Sequence, residues 1–279
     1  MYIDKVRLTN IRGFRDQEFS FDRGNGIYAG WTILTGNNGS GKSTVLQSIA
    51  LNLLDTQTAL SLTPDLISLG RQQGEESILS LHLSGNKDEF RFKFNGNSFS
   101  ARSWTSDSDR RLELFSCGYG PFRRLSGASE AVARLMQTER AGRFATLFHE
   151  SASLSEADKW LRTLKHKQLE GKQPAAQTLE AVLELFNDEF LPNCLVVDRV
   201  DSDGLWLKDR EGQMLSWAGI SDGYRSALAL LTDILRHLIN HYGLDGLTAR
   251  DAEGRLFITR KGVVLIDEID AHLHPEWQR

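Results

Sequence analysis

Apolar and polar positions alternate over residues 2–10, YIDKVRLTN, and again toward 17–21, which predicts two strands of a hairpin. The run WTILTG at 31–36 is apolar and ends in glycine, so it predicts a buried strand feeding a loop. Over 42–54, KSTVLQSIALNLL, the period changes: Val45, Leu46, Ile49 and Leu53 recur at helical spacing. Residues 76–117 return to strand patterns in SILSLHLS, EFRFKFN and RLELFSCGYG, separated by Gly-, Ser- and Asn-rich breaks. From Pro121 to about Leu191 strand signals almost vanish. SEAVARLMQ, SEADKWLRTLKHKQLE and AAQTLEAVLELFNDEF read as helices there, with Ser129 and Ser155 as N-caps and Pro174 near the start of the third. Short strands follow in CLVVDRV, GLWLKD and GQMLSW, then a long apolar helix at 223–242. A hairpin containing GRLFITRKG leads into a last strand, VVLID. No internal repeat, heptad run or low-complexity tract is present.

Composition narrows the class without naming it. The 279 residues are 40% hydrophobic and 25% charged, ordinary for a globular chain, and the net charge of −4 gives no global basic field. Cys117 and Cys194 match no metal spacing and suit a reducing compartment. No apolar run approaches the roughly 18 residues of a membrane span. The first ten residues lack the apolar centre of a signal peptide. The expectation is a cytoplasmic protein with no membrane partner.

The strongest chemical signal is GNNGSGKST at 36–44, which fits G-x-x-x-x-G-K-[ST]. In such a loop Gly36, Gly39 and Gly41 let the backbone curl, so that the N–H groups of Asn37, Asn38, Ser40 and their neighbours face phosphate oxygens. Lys42 brings a point charge to the β and γ phosphates, and the helix running on through Thr44 adds its N-terminal partial charge. The Ser43 hydroxyl is of the type that ligates Mg2+. A magnesium ion held so also wants a carboxylate, and Asp267 at the tip of the last strand can supply it. Glu268 follows, placed to accept a proton from a water attacking the γ-phosphate. ATP and Mg2+ are therefore the expected ligands. The loop and the acids are expected on neighbouring parallel strands.

Two further stretches are WAGISDGYRSALALL, with Ser221, Asp222 and Gly223 just before the long helix, and IDAHLHP after the acids. Together with NIRGFR near the start, this order resembles the ABC-type ATPase heads of the Rad50, RecF and SMC class. It is most similar to small ATPases of bacterial anti-phage systems: the Septu ATPase subunit, retron-associated ATPases and the ATPase half of OLD-family nucleases. GYGPFRRLSG adds to that likeness. The resemblance implies an α/β P-loop NTPase fold, an ABC-type head with an N-terminal β-subdomain and a helical insertion at 121–192, spanning 1–279 as one domain. It further implies a homodimer with two ATPs sandwiched between heads, Ser221 and Gly223 reaching the γ-phosphate held by the other copy's Lys42. Segment 270–275 would communicate across the dimer, and Arg12 would approach phosphate.

The chain departs from that pattern in three places. The usual signature Leu-Ser-Gly-Gly-Gln reads Ile-Ser-Asp-Gly-Tyr, which sets Asp222 near a phosphate unless Arg225 or Lys42 offsets it. SCGYGPFRR stands where a glutamine loop is expected. The expected histidine beyond Arg279 is missing, so the head is expected to be C-terminally incomplete and a weak hydrolase by itself. His272 and His274 belong to the communicating loop or, alternatively, to a metal site.

Residues 121–172 hold ten Lys/Arg against six Asp/Glu. Arg123, Arg124, Arg140, Arg143 and RTLKHK at 162–167 either form a basic face for DNA or an effector nuclease, or are a solvated helical surface. Three functions stay open: an ATP switch controlling a partner or fused nuclease, a RecF-like DNA-maintenance ATPase, and a nucleotide-bound scaffold with little turnover. A transporter's nucleotide-binding domain fits less well, given NIRGFR and the altered signature.

Overall fold

The structure is a computed structural model that describes the chain apart from residues 1, 29, 73, 86–88, 96–97, 104–113, 189–190, 192–193 and 271–279. The chain forms two compact units: Met1–Pro121 with Glu130–Glu150 and Lys261–Asp267, and Phe122–Ser129 with Ser151–Arg260 and Glu268–Arg279.

In the first unit, β1 (Ile3–Ile11) and β2 (Phe14–Ser20) form the expected antiparallel hairpin, Val6 opposite Phe19 and Leu8 opposite Gln17. Strands β3 (Ser77–Leu83), β4 (Glu89–Asn95) and β5 (Ser98–Ser103) complete a five-stranded antiparallel sheet in the order β2-β1-β3-β4-β5. One face is buried because the period is two: Phe90, Phe92 and Phe94 point inward, while Glu89, Arg91 and Lys93 alternate with them. Each buried phenylalanine contributes roughly 1.5–3 kcal/mol.

Helix α1 (Lys42–Leu53) lies against β1, β3 and β4 of this sheet and also against a second, parallel pair. That pair is β6 (Phe115–Tyr119) and β12 (Gly262–Ile266), in register Phe115 to Gly262 through Tyr119 to Ile266. Contact on two sides explains why α1 buries Val45, Ser48, Ile49, Ala50, Leu51, Asn52 and Leu53, a wider arc than an ordinary surface helix. Helix α2 (Thr56–Leu62) follows at once, capped by Asp55, whose carboxylate accepts from the Thr58 amide at 2.9 Å.

Every residue of β6 is buried, and Gly118 within it and Gly120 just after it explain how closely residues 144–147 approach. A side chain at Gly118 would meet Phe144 and Leu147, and one at Gly120 would lie 2.2 Å from the Thr146 carbonyl. The short helices α3 (Glu130–Met136), α4 (Glu139–Gly142) and α5 (Ala145–Phe148) complete this unit.

The second unit is built on α6 (Ser155–Leu169), α7 (Gln173–Asn187) and α8 (Asp222–Tyr242). Strands β7 (Val196–Asp201), β8 (Gly204–Lys208) and β9 (Met214–Ser216) form an antiparallel meander, with α6 packed on α7, α8 and β8. Leu161, Leu179, Val182, Phe186, Leu205, Leu207 and Leu228 share its core. A hairpin of β10 (Thr248–Arg250) and β11 (Leu256–Ile258) precedes β12. Inside α8, Asp233 is buried; burial alone would raise its pKa, but His237 and Arg236 outweigh that and hold the carboxyl down to about 2.

Most predicted elements appear within a residue or two of their expected bounds. Three expectations are corrected. Residues 31–36 are not a strand: no ladder partner joins them among the described residues, Trp31 and Ile33 are 62% and 65% exposed, and Leu34 packs on the core. An apolar run favours a sheet but does not supply a neighbour to pair with. Ser155 begins α6 rather than capping it; the N-cap is Leu154. Of the proposed basic face, Arg123 and Arg143 are buried, 3% and 5% exposed, so neither belongs to a surface that meets DNA. No described helix is long and apolar enough to cross a membrane.

Candidate phosphate-binding site

Residues 36–41 form an exposed curl held by local geometry. Gly39 and Gly41 sit at φ +79° and +93°, left-handed values that cost other residues roughly 1–2 kcal/mol. The Ser40 amide donates to the Asn37 carbonyl at 3.1 Å, and a side chain at Gly36 would meet the Ser40 hydroxyl. Gly41 is the N-cap of α1 and offers no side-chain acceptor, so the opening N–H groups of the helix have no capping oxygen from that residue. Lys42 folds over the curl, its Nζ donating to the carbonyls of Gly36 at 2.8 Å and Asn37 at 3.2 Å. Curled amides, a helix N-terminus and an ammonium within one loop fit an anionic polyphosphate.

The β1–β2 turn braces this loop. The Phe14 ring lies where a Gly41 side chain would be, 2.5 Å from the position of its Cβ, so only glycine fits there. Phe14 is itself held edge-on by Phe19, with ring centroids 5.7 Å apart. Arg12 stands at φ +41°, its amide donating to the Leu69 carbonyl at 2.8 Å. Its guanidinium donates to Thr44 Oγ1 at 3.4 Å and Gln47 Oε1 at 3.2 Å, and burial lowers its pKa from the ordinary value. Gln47 in turn donates to the Leu147 carbonyl at 3.0 Å. Arg12 thus lies against the first turns of the loop's own helix.

The acid pair closes β12. Asp267 is buried at 4% exposure, and its amide donates to the Tyr119 carbonyl at 2.8 Å, extending the β6–β12 ladder by one bond. The expectation of neighbouring strands is corrected here. The partner of β12 is β6, and the loop reaches the strand through α1, which packs on both β6 and β12. Glu268 differs from its neighbour in every respect: it is exposed, sits at φ +45°, and its carbonyl accepts from the Arg123 guanidinium at 2.9 Å. A buried aspartate followed by an exposed glutamate offers one fixed carboxylate and one open to solvent.

Ser221, Asp222 and Gly223 belong to the second unit, at the start of α8. Ser221 is the N-cap residue, as its sequence predicts, but its side chain makes no capping bond. Asp222 pairs with Arg225 on the next turn, so the charge added to the signature has a local counter-ion. His272 and His274 lie outside the described residues, as does nearly all of segment 270–275. Reading the sequence alone missed the bracing role of Phe14 and the place of Arg123. The adjacency of GFR to a turn was a usable signal for the first.

Residues 32–279 match the family described as "AAA domain, putative AbiEii toxin, Type IV TA system". The chain belongs to this family. The match takes in the curl at 36–44, the start of α8 and the acid pair Asp267 and Glu268. The chain is 29% identical over 283 residues to the Septu protein PtuA of Bacillus mycoides (strain KBAB4), covering 99% of this chain and 35% of that protein. It is 34% identical over 121 residues to the "Retron Ec83 probable ATPase" of Escherichia coli, covering 43% of this chain and 20% of the other. It is 37% identical over 70 residues to the "Retron Vc95 probable ATPase" of Vibrio cholerae serotype O1 biovar El Tor, covering 25% and 12%. The chain spans at most about a third of the length of these curated relatives. A solved SMC head domain from Thermotoga maritima aligns over 98% of this chain and 91% of its own, at 11% identity and a TM-score of 0.40.

Proposed function

We propose that this AAA domain binds and hydrolyses ATP, and that ATP brings two copies together to control an effector nuclease, as a partner or a fused domain, in anti-phage defence. The observation that carries the proposal is the joint placement, within one unit, of the curled loop, its lysine and α1 against the strand that ends in a buried aspartate. The similarity to a Septu protein and to two retron ATPases supports the defence setting.

In this reading the amides of residues 37–44 and the Lys42 ammonium hold the triphosphate, and Glu268 accepts the proton of the attacking water. Ser43 and Asp267 would hold Mg2+, which neutralises charge on the β and γ phosphates when bound. Arg12 steadies the first turn of α1 beside them. Ser221 and Gly223 approach the γ-phosphate bound by the other copy, and the Asp222–Arg225 pair keeps Asp222 from presenting a bare negative charge there.

The test is the oligomeric state of the full-length protein, measured by sedimentation with and without a non-hydrolysable ATP analogue. The analogue is expected to convert monomer to dimer. Ser221→Arg is expected to abolish that shift while each protomer still binds nucleotide. A wild-type protein that stays monomeric at saturating analogue would sink the dimer; loss of binding in Ser221→Arg would place that serine in its own copy's site. The burial of Arg123 and Arg143 leaves the RecF-like, DNA-binding reading with less support.

A further inference from the structure

Arg123 is a buried arginine that the proposed reaction does not use. It lies in the PFRR stretch, 3% exposed, and its Nη2 donates to the Glu268 carbonyl at 2.9 Å. The backbone that carries it is itself fixed. The Leu154 amide donates to the Arg124 carbonyl at 2.7 Å, and Arg124 forms a parallel bridge with Ser153, just before α6. Arg124 also lies over the Phe122 ring, with its guanidinium carbon 6.0 Å from the centroid.

At the other end of this bond stands a residue under backbone strain. Glu268 is a non-glycine residue at φ +45°, a conformation that persists only where the surroundings hold it. Its side chain is exposed, so packing does not fix the direction in which the carboxylate points. The backbone turn sets the direction of its Cα–Cβ bond, and so the region the carboxylate can reach. A charged donor on the Glu268 carbonyl favours the turn, because a charge-assisted bond is shorter and stronger than a neutral one. A buried guanidinium is costly unless it is bonded, so the burial of Arg123 also favours this bond.

We infer that Arg123 is a positioning residue for Glu268: it clamps the strained backbone of the acid so that the carboxylate faces the attacking water, and it links that acid to the start of α6. The inference rests on the proposed role of Glu268 and adds a determinant of rate outside the nucleotide motifs. Proximity effects are steep, and misplacing a reacting group by about 1 Å can cost on the order of 100-fold. The clamp should therefore act on the chemical step and not on nucleotide affinity.

The experiment measures kcat and KM for ATP in the full-length protein, with thermal unfolding alongside, for Arg123→Met, Arg123→Lys and Glu268→Gln. Arg123→Met is expected to lower kcat by about 10- to 100-fold with KM within about 2-fold. Arg123→Lys, which keeps a charged donor, should recover part of that loss. Adding Arg123→Met to Glu268→Gln should cost nothing further, because the clamp has no base left to aim. If Arg123→Met does not fold, Arg123→Gln replaces it, with the same expectation. A changed KM at unchanged kcat, or a full additional loss in the Glu268→Gln background, overturns the clamp. Unchanged kcat in Arg123→Met overturns the clamp alone, provided Glu268→Gln is inactive. Normal turnover in Glu268→Gln overturns both the clamp and the role of Glu268 on which it rests.

Discussion

Glu268→Gln is expected to lower ATP turnover by about 100- to 10,000-fold while nucleotide affinity changes by no more than a few-fold. Glutamine keeps the size and hydrogen-bonding reach of the side chain but cannot take a proton at neutral pH. The residue is exposed and its carbonyl, not its carboxylate, bonds to Arg123, so the exchange leaves the backbone turn in place. Phosphate release measures the first effect, and equilibrium binding of a fluorescent ATP analogue measures the second. In the switch reading the variant should also accumulate as an ATP-bound dimer, because the step that ends the closed state is blocked. Turnover within a few-fold of wild type would remove Glu268 from the reaction. A wild-type protein with no turnover in the first place would favour the scaffold reading.

Lys42→Ala is expected to weaken ATP binding by about 10- to 100-fold or more, since a hydrogen bond to a charged group is worth roughly 1.5–3 kcal/mol and each 1.4 kcal/mol is tenfold. The same exchange should barely affect folding. Lys42 is only partly buried and bonds within its own loop, to the carbonyls of Gly36 and Asn37, which solvent can reach in its absence. The pairing of the two results matters: lost binding with an unchanged melting temperature assigns Lys42 to the ligand. If affinity stayed at the wild-type value, the triphosphate would have to sit elsewhere. If melting temperature and affinity fell together, the lysine would be holding the loop itself.

What the sequence made legible follows from which interactions are local. The curl at 36–44 was legible because its glycines, its lysine and the start of α1 lie within nine residues, and Gly39 and Gly41 take the positive φ that glycine allows. Amphipathic periods located α1, α6, α7 and α8, and strict alternation located β1 and β4. Pairing was not legible. The apolar run 31–36 has strand composition but no strand neighbour among the described residues, and the partner of β12 is β6, 147 residues earlier in the chain. The fates of the arginines were not legible either. Arg123 and Arg143 read as surface charge from their neighbours, yet one bonds the Glu268 carbonyl and the other pairs with Glu139 and covers the Phe115 ring. An arginine's stem is apolar enough to be buried wherever its head finds an acceptor, and that acceptor can lie far away in sequence. In the candidate site, residue types were readable, but the bracing of Gly41 by Phe14 needed the hairpin turn in three dimensions.

The central claim is that the Lys42 loop and Asp267 act on one magnesium–triphosphate. Its most direct test is a structure of the protein with Mg2+ and a non-hydrolysable ATP analogue. The account predicts the Lys42 ammonium on the terminal phosphates, with the Ser43 hydroxyl and the Asp267 carboxylate, directly or through water, around the same metal ion. A bound analogue whose metal lies beyond the reach of Asp267, or a triphosphate outside the 36–44 curl, would contradict it.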